Sequence, residues 1–450
     1  MDIVSELERA LGKEKVLTKK EDLLPYASDA SYISGEMPLA VVLPSSAEEV
    51  SKILKLCYEN DVPVYVRGGG TSLTGASAPL GGIVLSTLRL NKILEISIKD
   101  RYAVAEAGVR LRDLNEELRK LGYMYPPDPG SEVAATVGGS ISTNAGGMRG
   151  AAYGATKDWV LGLEVVLPDG TIAQFGGKTL KRSEGYDLTA LMVGSEGTLG
   201  VITKATLKIA PLPKEEDMVL AFYDSYKKVG EATAALNEKG IIPLVAEFLD
   251  KKAMEIIKES AEPPEGADSM LILVLSEKDE ALKALKETSP LELREVKDKE
   301  EADRIMSLRR GLYSSQLLLR ERPDQKVIIG DIAVPPSRIS KALEEIYSAV
   351  EKSGLKVIAF GHIGDGNIHL NVFAGMDEME KAIELLKETA RIAVKHEGSV
   401  SAEHGIGLEK KELLVEELEL RKSLVNLQLM KAIKKAFDPK NIMNRGKLFD

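Results

Sequence analysis

Cysteine is almost missing: Cys57 is the only one in 450 residues. One thiol cannot close an intramolecular disulfide, which fits a reducing cytoplasm. Nor can it hold an iron–sulfur cluster, which usually takes four cysteines, so any such relay must sit on another chain. No apolar run approaches the ~20 residues a membrane span needs. The N-terminus MDIVSELERALGKEKV is charged from its second residue and has no apolar signal region, so a cytoplasmic protein is expected, with peripheral membrane contact left open. Basic tracts are absent: Lys plus Arg number 60 against 70 Asp plus Glu, a net charge of −10, which argues against a nucleic-acid partner. Histidine is also scarce, and all four lie beyond residue 360.

What is present is an ordinary globular composition, 44% hydrophobic, in a chain too long for one core. Residues 39–43 read as a buried strand, Ser46 with Glu49 as a capping box, and Val50, Ile53, Leu54 and Cys57 as the apolar stripe of a helix. Residues 62–66 return as a strand, giving an expected β-α-β unit. Beyond it, short apolar strands alternate with glycine clusters, a short helix is expected over 111–121, and Pro168-Asp169-Gly170 is a turn. Composition shifts at Pro211-Leu212-Pro213 to long Lys/Glu-rich helices alternating with strands. The division expected is 1–211, 212–423, and a C-terminal segment 424–450 returning to the first domain. The second domain is expected to be α+β with an antiparallel sheet.

Arg67-Gly68-Gly69-Gly70-Thr71-Ser72-Leu73-Thr74-Gly75 follows a strand, and successive glycines let backbone N–H groups converge on phosphate oxygens. The Rossmann spacing fails because Leu73 stands where the last glycine belongs, and a P-loop fails because Ile172 precedes Gly177-Lys178-Thr179 at the glycine position. Two further clusters, PPDPGSEVAATVGGSISTNAGG from Pro126 and GSEGTLGVIT from Gly194, point to an extended ligand.

Two histidine motifs carry the second half. In Gly361-His362-Ile363-Gly364-Asp365-Gly366-Asn367-Ile368-His369-Leu370-Asn371, Asp365-Gly366 reads as a two-residue hairpin loop. That register pairs His362 with His369 and Phe360 with Asn371 on one face, a spacing suited to a two-histidine metal site. Glu403, in Ser401-Ala402-Glu403-His404-Gly405-Ile406-Gly407, completes a His-His-carboxylate set, and His404 remains as a base. Zinc, manganese and ferrous iron all take such ligands. His396 reads as a hydrogen-bonded histidine without a ligand role.

The three glycine segments resemble the FAD domain of the vanillyl-alcohol oxidase (PCMH-type) superfamily over about residues 38–211. The resemblance implies FAD held by Arg67, Gly68, Gly69, Gly70, Thr71, Ser72 and Gly75. It adds Pro127, Gly130, Gly138, Gly139, Ser142, Asn144, Gly147, Tyr153 and Gly154. Glu196, Gly197, Gly200, Val201 and Ile202 would lie along the flavin, with Asn444 from the terminal Asn444-Arg445-Gly446-Lys447, which resembles the family's Asn-Pro-Gly-Lys. The histidine motifs resemble the C-terminal domain of the D-lactate, glycolate and D-2-hydroxyglutarate dehydrogenases. That resemblance implies zinc on His362, His369 and Glu403, His404 as general base, and substrate contacts from Asn371 and Arg309. Arg310 competes with Arg309, and Lys326 is a second candidate cation. Residues 280–300 match nothing useful and are where substrate size would be set.

The reaction so implied is oxidation of a small D-2-hydroxy acid to the 2-oxo acid. Electrons would leave to an iron–sulfur subunit, an electron-transfer flavoprotein or a quinone; a homodimer is compatible with the sequence. The rivals are a flavin lyase of the alkyl-glycerone-phosphate synthase kind and a non-catalytic flavin subunit. Because the expected FAD domain has no histidine, acid precipitation should release the flavin; yellow colour kept in the denatured pellet would overturn non-covalent binding.

Overall fold

The computed structural model describes residues 2–449. Two compact units emerge: Met1–Gly146 with Ala155–Leu212 and Glu403–Asp450, and Gly147–Gly154 with Pro213–Ala402. The α+β class holds, with an antiparallel sheet in the second unit.

In the first unit a four-stranded sheet runs Val16–Leu17, Ala40–Val42, Ile83–Ser86, Val64–Arg67. The two strands of the expected β-α-β unit are present, but they are not neighbours. Both pair in parallel with Ile83–Ser86, which enters between them. The reason is burial, since all four residues of that strand are covered, as a central parallel strand requires. The linking helix, Ala47–Glu59, buries Val50, Ile53, Leu54 and Cys57. Ser46 caps it by accepting from Glu49 N at 3.3 Å, while the Glu49 carboxylate reaches Ser45 N rather than Ser46 N. Burial pushes the Cys57 thiol up to about 12, which makes it an inert packing group. A five-stranded antiparallel sheet follows in the order Ile93–Ser97, Tyr102–Glu106, Val201–Lys208, Val160–Val166, Ile172–Gly176. Its last two strands join through Pro168-Asp169-Gly170, where Gly170 has φ 89° and Asp169 accepts from Thr171 N.

The second unit is built on seven antiparallel strands: Glu292–Val296, Asp217–Tyr223, Ser269–Leu275, Val245–Asp250, Lys356–Gly361, Asn367–Ala374 and Lys326–Ala333. Ser269–Leu275 is buried at every position, which explains its unbroken apolar run. Residues 280–300 contribute to the helix Lys278–Glu287 and the edge strand Glu292–Val296. That edge lies four strand spacings, roughly 19 Å, from Lys356–Gly361. This segment therefore does not line the histidine strands; the helix Lys299–Arg310 that follows it does the reaching.

The expected two-residue hairpin is longer. His369 pairs with Phe360 and Asn371 with Ile358, so the register differs by two residues from the sequence reading. A 3-10 turn, Ile363–Asp365, and a left-handed Gly366 (φ 85°) close a four-residue loop, with Asn367 N donating to His362 O. A shift of two keeps side-chain parity, so His362 and His369 stay on one face, diagonal rather than opposite.

The chain rejoins the first unit at Glu403, earlier than the expected 424. Glu196 accepts from Ile406 N and Gly407 N, and Thr74 Oγ1 donates to His404 O, which ties this segment to that unit. A helix, Val425–Phe437, and the tail then follow, with Met443 bridging beside Val64.

Gly366 is the tightest point of the histidine loop, because a Cβ there would meet Val334 O at 1.9 Å. Gly366→Ala should destabilise the second unit by more than ~1 kcal/mol, through strain added to a positive φ. An unchanged thermal midpoint would show that the turn relaxes freely.

Candidate functional site

The glycine loop of the first unit is shaped by close backbone approach. A Cβ on Gly68 would meet Thr136 Oγ1 at 2.4 Å, and one on Gly69 would meet Ala134 O at 2.1 Å. Thr136 also caps the helix Val137–Thr143 by accepting from Gly139 N. Ser72 Oγ accepts from Thr74 N and Ala76 N, turning the loop back. Among the described residues, the six backbone N–H groups of 68–73 find no acceptor within the chain. Such a run of unanswered donors suits a phosphate.

The other expected flavin residues fall into distinct roles. Arg67 donates to Ser28 O at 2.7 Å and Pro25 O at 3.3 Å and lies over Tyr26, so it pins the N-terminal segment rather than offering a phosphate donor. Gly138 lets its helix approach Ala107, where a Cβ would come within 2.7 Å of that alanine's own. Ser142 donates to Gly138 O, and Asn144, left-handed at φ 52°, ends the helix and accepts from Lys157 N. Pro127 is buried; Gly130 is exposed, with open space where a Cβ would stand. Thr71 and Gly75 remain in the loop itself, Gly75 at φ 76°. Gly197 (φ 69°) sits against Asn444, Gly200 against Val166 O, and Val201 and Ile202 begin a buried strand. Gly147, Tyr153 and Gly154 belong instead to the second unit, because Met148 and Tyr153 pack into its core.

Asn444 closes the first unit. Its side chain accepts from Val66 N at 2.9 Å and donates to Glu196 O at 2.5 Å. The arginine at 445 does not break the turn: Lys447 N still donates to Asn444 O, and Arg445 Nε bonds Asn441 O. Glu196 is buried, and desolvation raises its carboxyl to about 7 although Ile406 N and Gly407 N both donate to it. Those bonds fix the Glu403–Gly407 segment, in which Gly407 (φ 53°) packs on Thr74 O. Within it, His404 Nε2 lies 3.4 Å from Glu403 Oε1.

The second unit gathers most of the remaining residues. His362 and His369 meet edge to face, ring centroids 5.2 Å apart, and Phe360 lies 6.1 Å from His369. His362 Nδ1 is 2.7 Å from Glu247 Oε1. Arg309, 5% exposed, pairs with Glu247 Oε2 and lies 4.7 Å over the Phe360 ring. Its Nε is buried without a hydrogen-bond partner among the described residues. Arg310 is exposed, so Arg309 is the inward arginine of the two. His369 Nδ1 lies 3.8 Å from Asp331 Oδ1, which also accepts from Asn367 Nδ2 at 2.9 Å. Asp331 Oδ2 accepts from Ser401 Oγ and Ala402 N, both at 3.1 Å, so the chain is anchored one residue before Glu403. His396, as expected, is hydrogen-bonded, to Glu345 at 3.1 Å.

Two expected substrate contacts are placed otherwise. The amide of Asn371 is fully buried, accepting from Gln316 Nε2 at 2.9 Å and donating to Ile358 O at 3.1 Å, so it holds strands. Lys326 is exposed at the strand end, five residues and roughly 17 Å from Asp331, on the opposite face. Sequence reasoning missed Glu247, Asp331 and Lys447. The signal was there for the first two, since each is a lone carboxylate inside an apolar strand, Val-Ala-Glu-Phe-Leu and Ile-Gly-Asp-Ile.

Residues 38–176 match the family described as FAD binding domain, and residues 212–448 match FAD linked oxidases, C-terminal domain. The chain belongs to the FAD-linked oxidase family. This oxidoreductase is 36% identical to glycolate oxidase subunit GlcD of Bacillus subtilis, over 100% of this chain and 97% of that protein. It is 38% identical to a D-lactate dehydrogenase of Archaeoglobus fulgidus, over 91% and 90%. Its fold matches p-cresol methylhydroxylase with substrate bound, with a TM-score of 0.80 at 18% identity, over 100% of this chain and 96% of that one. The FAD-binding domain expected from the glycine segments is thus found, and the fold is shared with p-cresol methylhydroxylase. FAD is the cofactor of this oxidase, and the donor run at 68–73 fits its pyrophosphate. Among the described residues no helix is long and apolar enough to cross a membrane.

Beneath the glycine loop lies Lys447, 2% exposed, whose Nζ donates to Gly75 O and Ala78 O. Burial lowers its ammonium to about 8 from the ordinary 10.5. A depressed lysine penalises the folded state below pH 8 and is relieved as pH rises from 8 to 10.5, where only the unfolded chain stays charged. The stability of Lys447→Met relative to the parent should therefore fall across that window. Thermal midpoints at pH 7.5, 9 and 10.5, roughly bracketing it, check this; a constant difference would refute the shift.

Proposed function

We propose that this FAD-linked oxidase oxidises a small D-2-hydroxy acid of the lactate or glycolate class to its 2-oxo acid. The observation that carries the reading is Arg309, a buried guanidinium with an unpartnered Nε, whose ion-pair partner Glu247 also meets His362. Such a donor suits a substrate carboxylate, to which a guanidinium N–H gives a charge-assisted hydrogen bond. The names of the relatives point to the same substrate class.

FAD, when bound, supplies the hydride acceptor; a divalent ion, when bound, polarises the 2-hydroxyl. His362, His369 and Glu403 would hold such an ion. The fit is one of donor chemistry, two imidazoles on one sheet face and carboxylates on the neighbouring strand and next in the chain. Zinc is the favoured ion, and manganese or ferrous iron would take the same set. Arg309 orients the carboxylate, and Phe360 beneath its guanidinium keeps that side dry. His404 accepts the proton of the 2-hydroxyl, with Glu403 beside its Nε2. The FAD is non-covalent, and electrons pass to a partner protein or a quinone, since one cysteine cannot build a cluster.

His362→Ala should lose the ion and turnover while FAD stays bound. His404→Gln should keep both cofactors and slow flavin reduction by D-lactate about 10²–10⁴-fold, with the deficit shrinking as pH rises. Anaerobic flavin bleaching by a panel of D- and L-2-hydroxy acids, with elemental analysis, is the test. Parent protein fully active and metal-free after chelation would remove the ion from the reaction.

A further inference from the structure

We infer that Glu247 is a positioning residue that couples ion binding to carboxylate binding, an inference resting on the function proposed above. Glu247 has no exposed surface, in a strand whose neighbours Ala246 and Phe248 are apolar. Isolating a carboxylate there is costly unless every oxygen has a client. Both do: Oε1 meets His362 Nδ1 at 2.7 Å, and Oε2 meets Arg309 Nη2.

The placement follows from register. Val245–Asp250 pairs with Lys356–Gly361, Phe248 opposite Gly361, so the next step along both strands sets Glu247 across from His362. Arg309 arrives from the last turn of the helix Lys299–Arg310. A carboxylate on Nδ1 fixes the imidazole's tautomer and plane, and so assigns Nε2 as the ligating atom. The other oxygen fixes the Arg309 rotamer over Phe360 and leaves Nε as the donor edge for substrate. A purely structural ion pair explains neither the histidine on the same carboxylate nor the unanswered Nε. One group thus sets both the ion's ligand and the substrate's anchor, and removing it should impair both together.

The test is Glu247→Gln in the FAD-loaded protein, with zinc affinity measured by chelator competition on metal-stripped samples. D-Lactate KM comes from anaerobic flavin reduction, and the flavin-to-protein ratio is the folding control. We expect a zinc affinity lower by about 10–100-fold, a KM raised by about tenfold, and an unchanged flavin ratio. Zinc affinity or KM equal to the parent's would overturn the coupling. A parent that binds no zinc would overturn this inference and the ion assignment alike, whereas a parent that binds zinc beside an unaltered variant overturns the inference alone. If Glu247→Gln fails to fold, the charge-neutral Glu247→Gln/Arg309→Met pair is compared with Arg309→Met for zinc. Weaker zinc in the pair supports the inference, and equal zinc refutes it.

Discussion

The register of four neighbouring strands governs the chemistry of the second unit. Val245–Asp250, Lys356–Gly361, Asn367–Ala374 and Lys326–Ala333 set Glu247 across from His362, and Asp331 across from His369. A slip of one residue in any of them would turn its side chains to the other face of the sheet. What resists the slip is burial: Asn367–Ala374 is covered at every position, and Asn371 is bonded to Gln316 and Ile358. The placement of Asn371 and Lys326 makes the same point. Residue type nominated both; strand position left one bonded into the sheet and the other at its far end.

The first unit uses a different constraint. Its glycine loop is held where any side chain would collide, at Thr136 and Ala134, and the loop's N–H groups are left without internal acceptors. Unanswered donors are costly in a folded chain, so the loop is stable only because neighbouring groups fix its shape. Arg67, Lys447 and Asn444 do that fixing from outside the donor run, and the Ser72 hydroxyl from within it. Glu196 extends the same support to the Glu403–Gly407 segment, whose left-handed glycines admit no substitute for their backbone shape.

Much of this was legible in the amino-acid order. The capped helix with Val50, Ile53, Leu54 and Cys57, the Pro168-Asp169-Gly170 turn and the placing of both histidines on one face depend on short-range periodicity and turn chemistry, which neighbouring residues settle among themselves. The hairpin loop was misjudged by two residues because a 3-10 turn with left-handed Gly366 competes with the tighter turn over the same Asp-Gly pair.

The sequence by itself determined the FAD family, the α+β class and the local stage for two histidines, since motif and period are written in contiguous residues. Only the tertiary structure decided that Ile83–Ser86 separates the strands of the β-α-β unit, that Arg309 rather than Arg310 turns inward, and that Glu247 serves both Arg309 and His362. Those outcomes join residues 62 and 115 positions apart. No local preference selects such partners; they are chosen by strand register and by the cost of burying a charge alone.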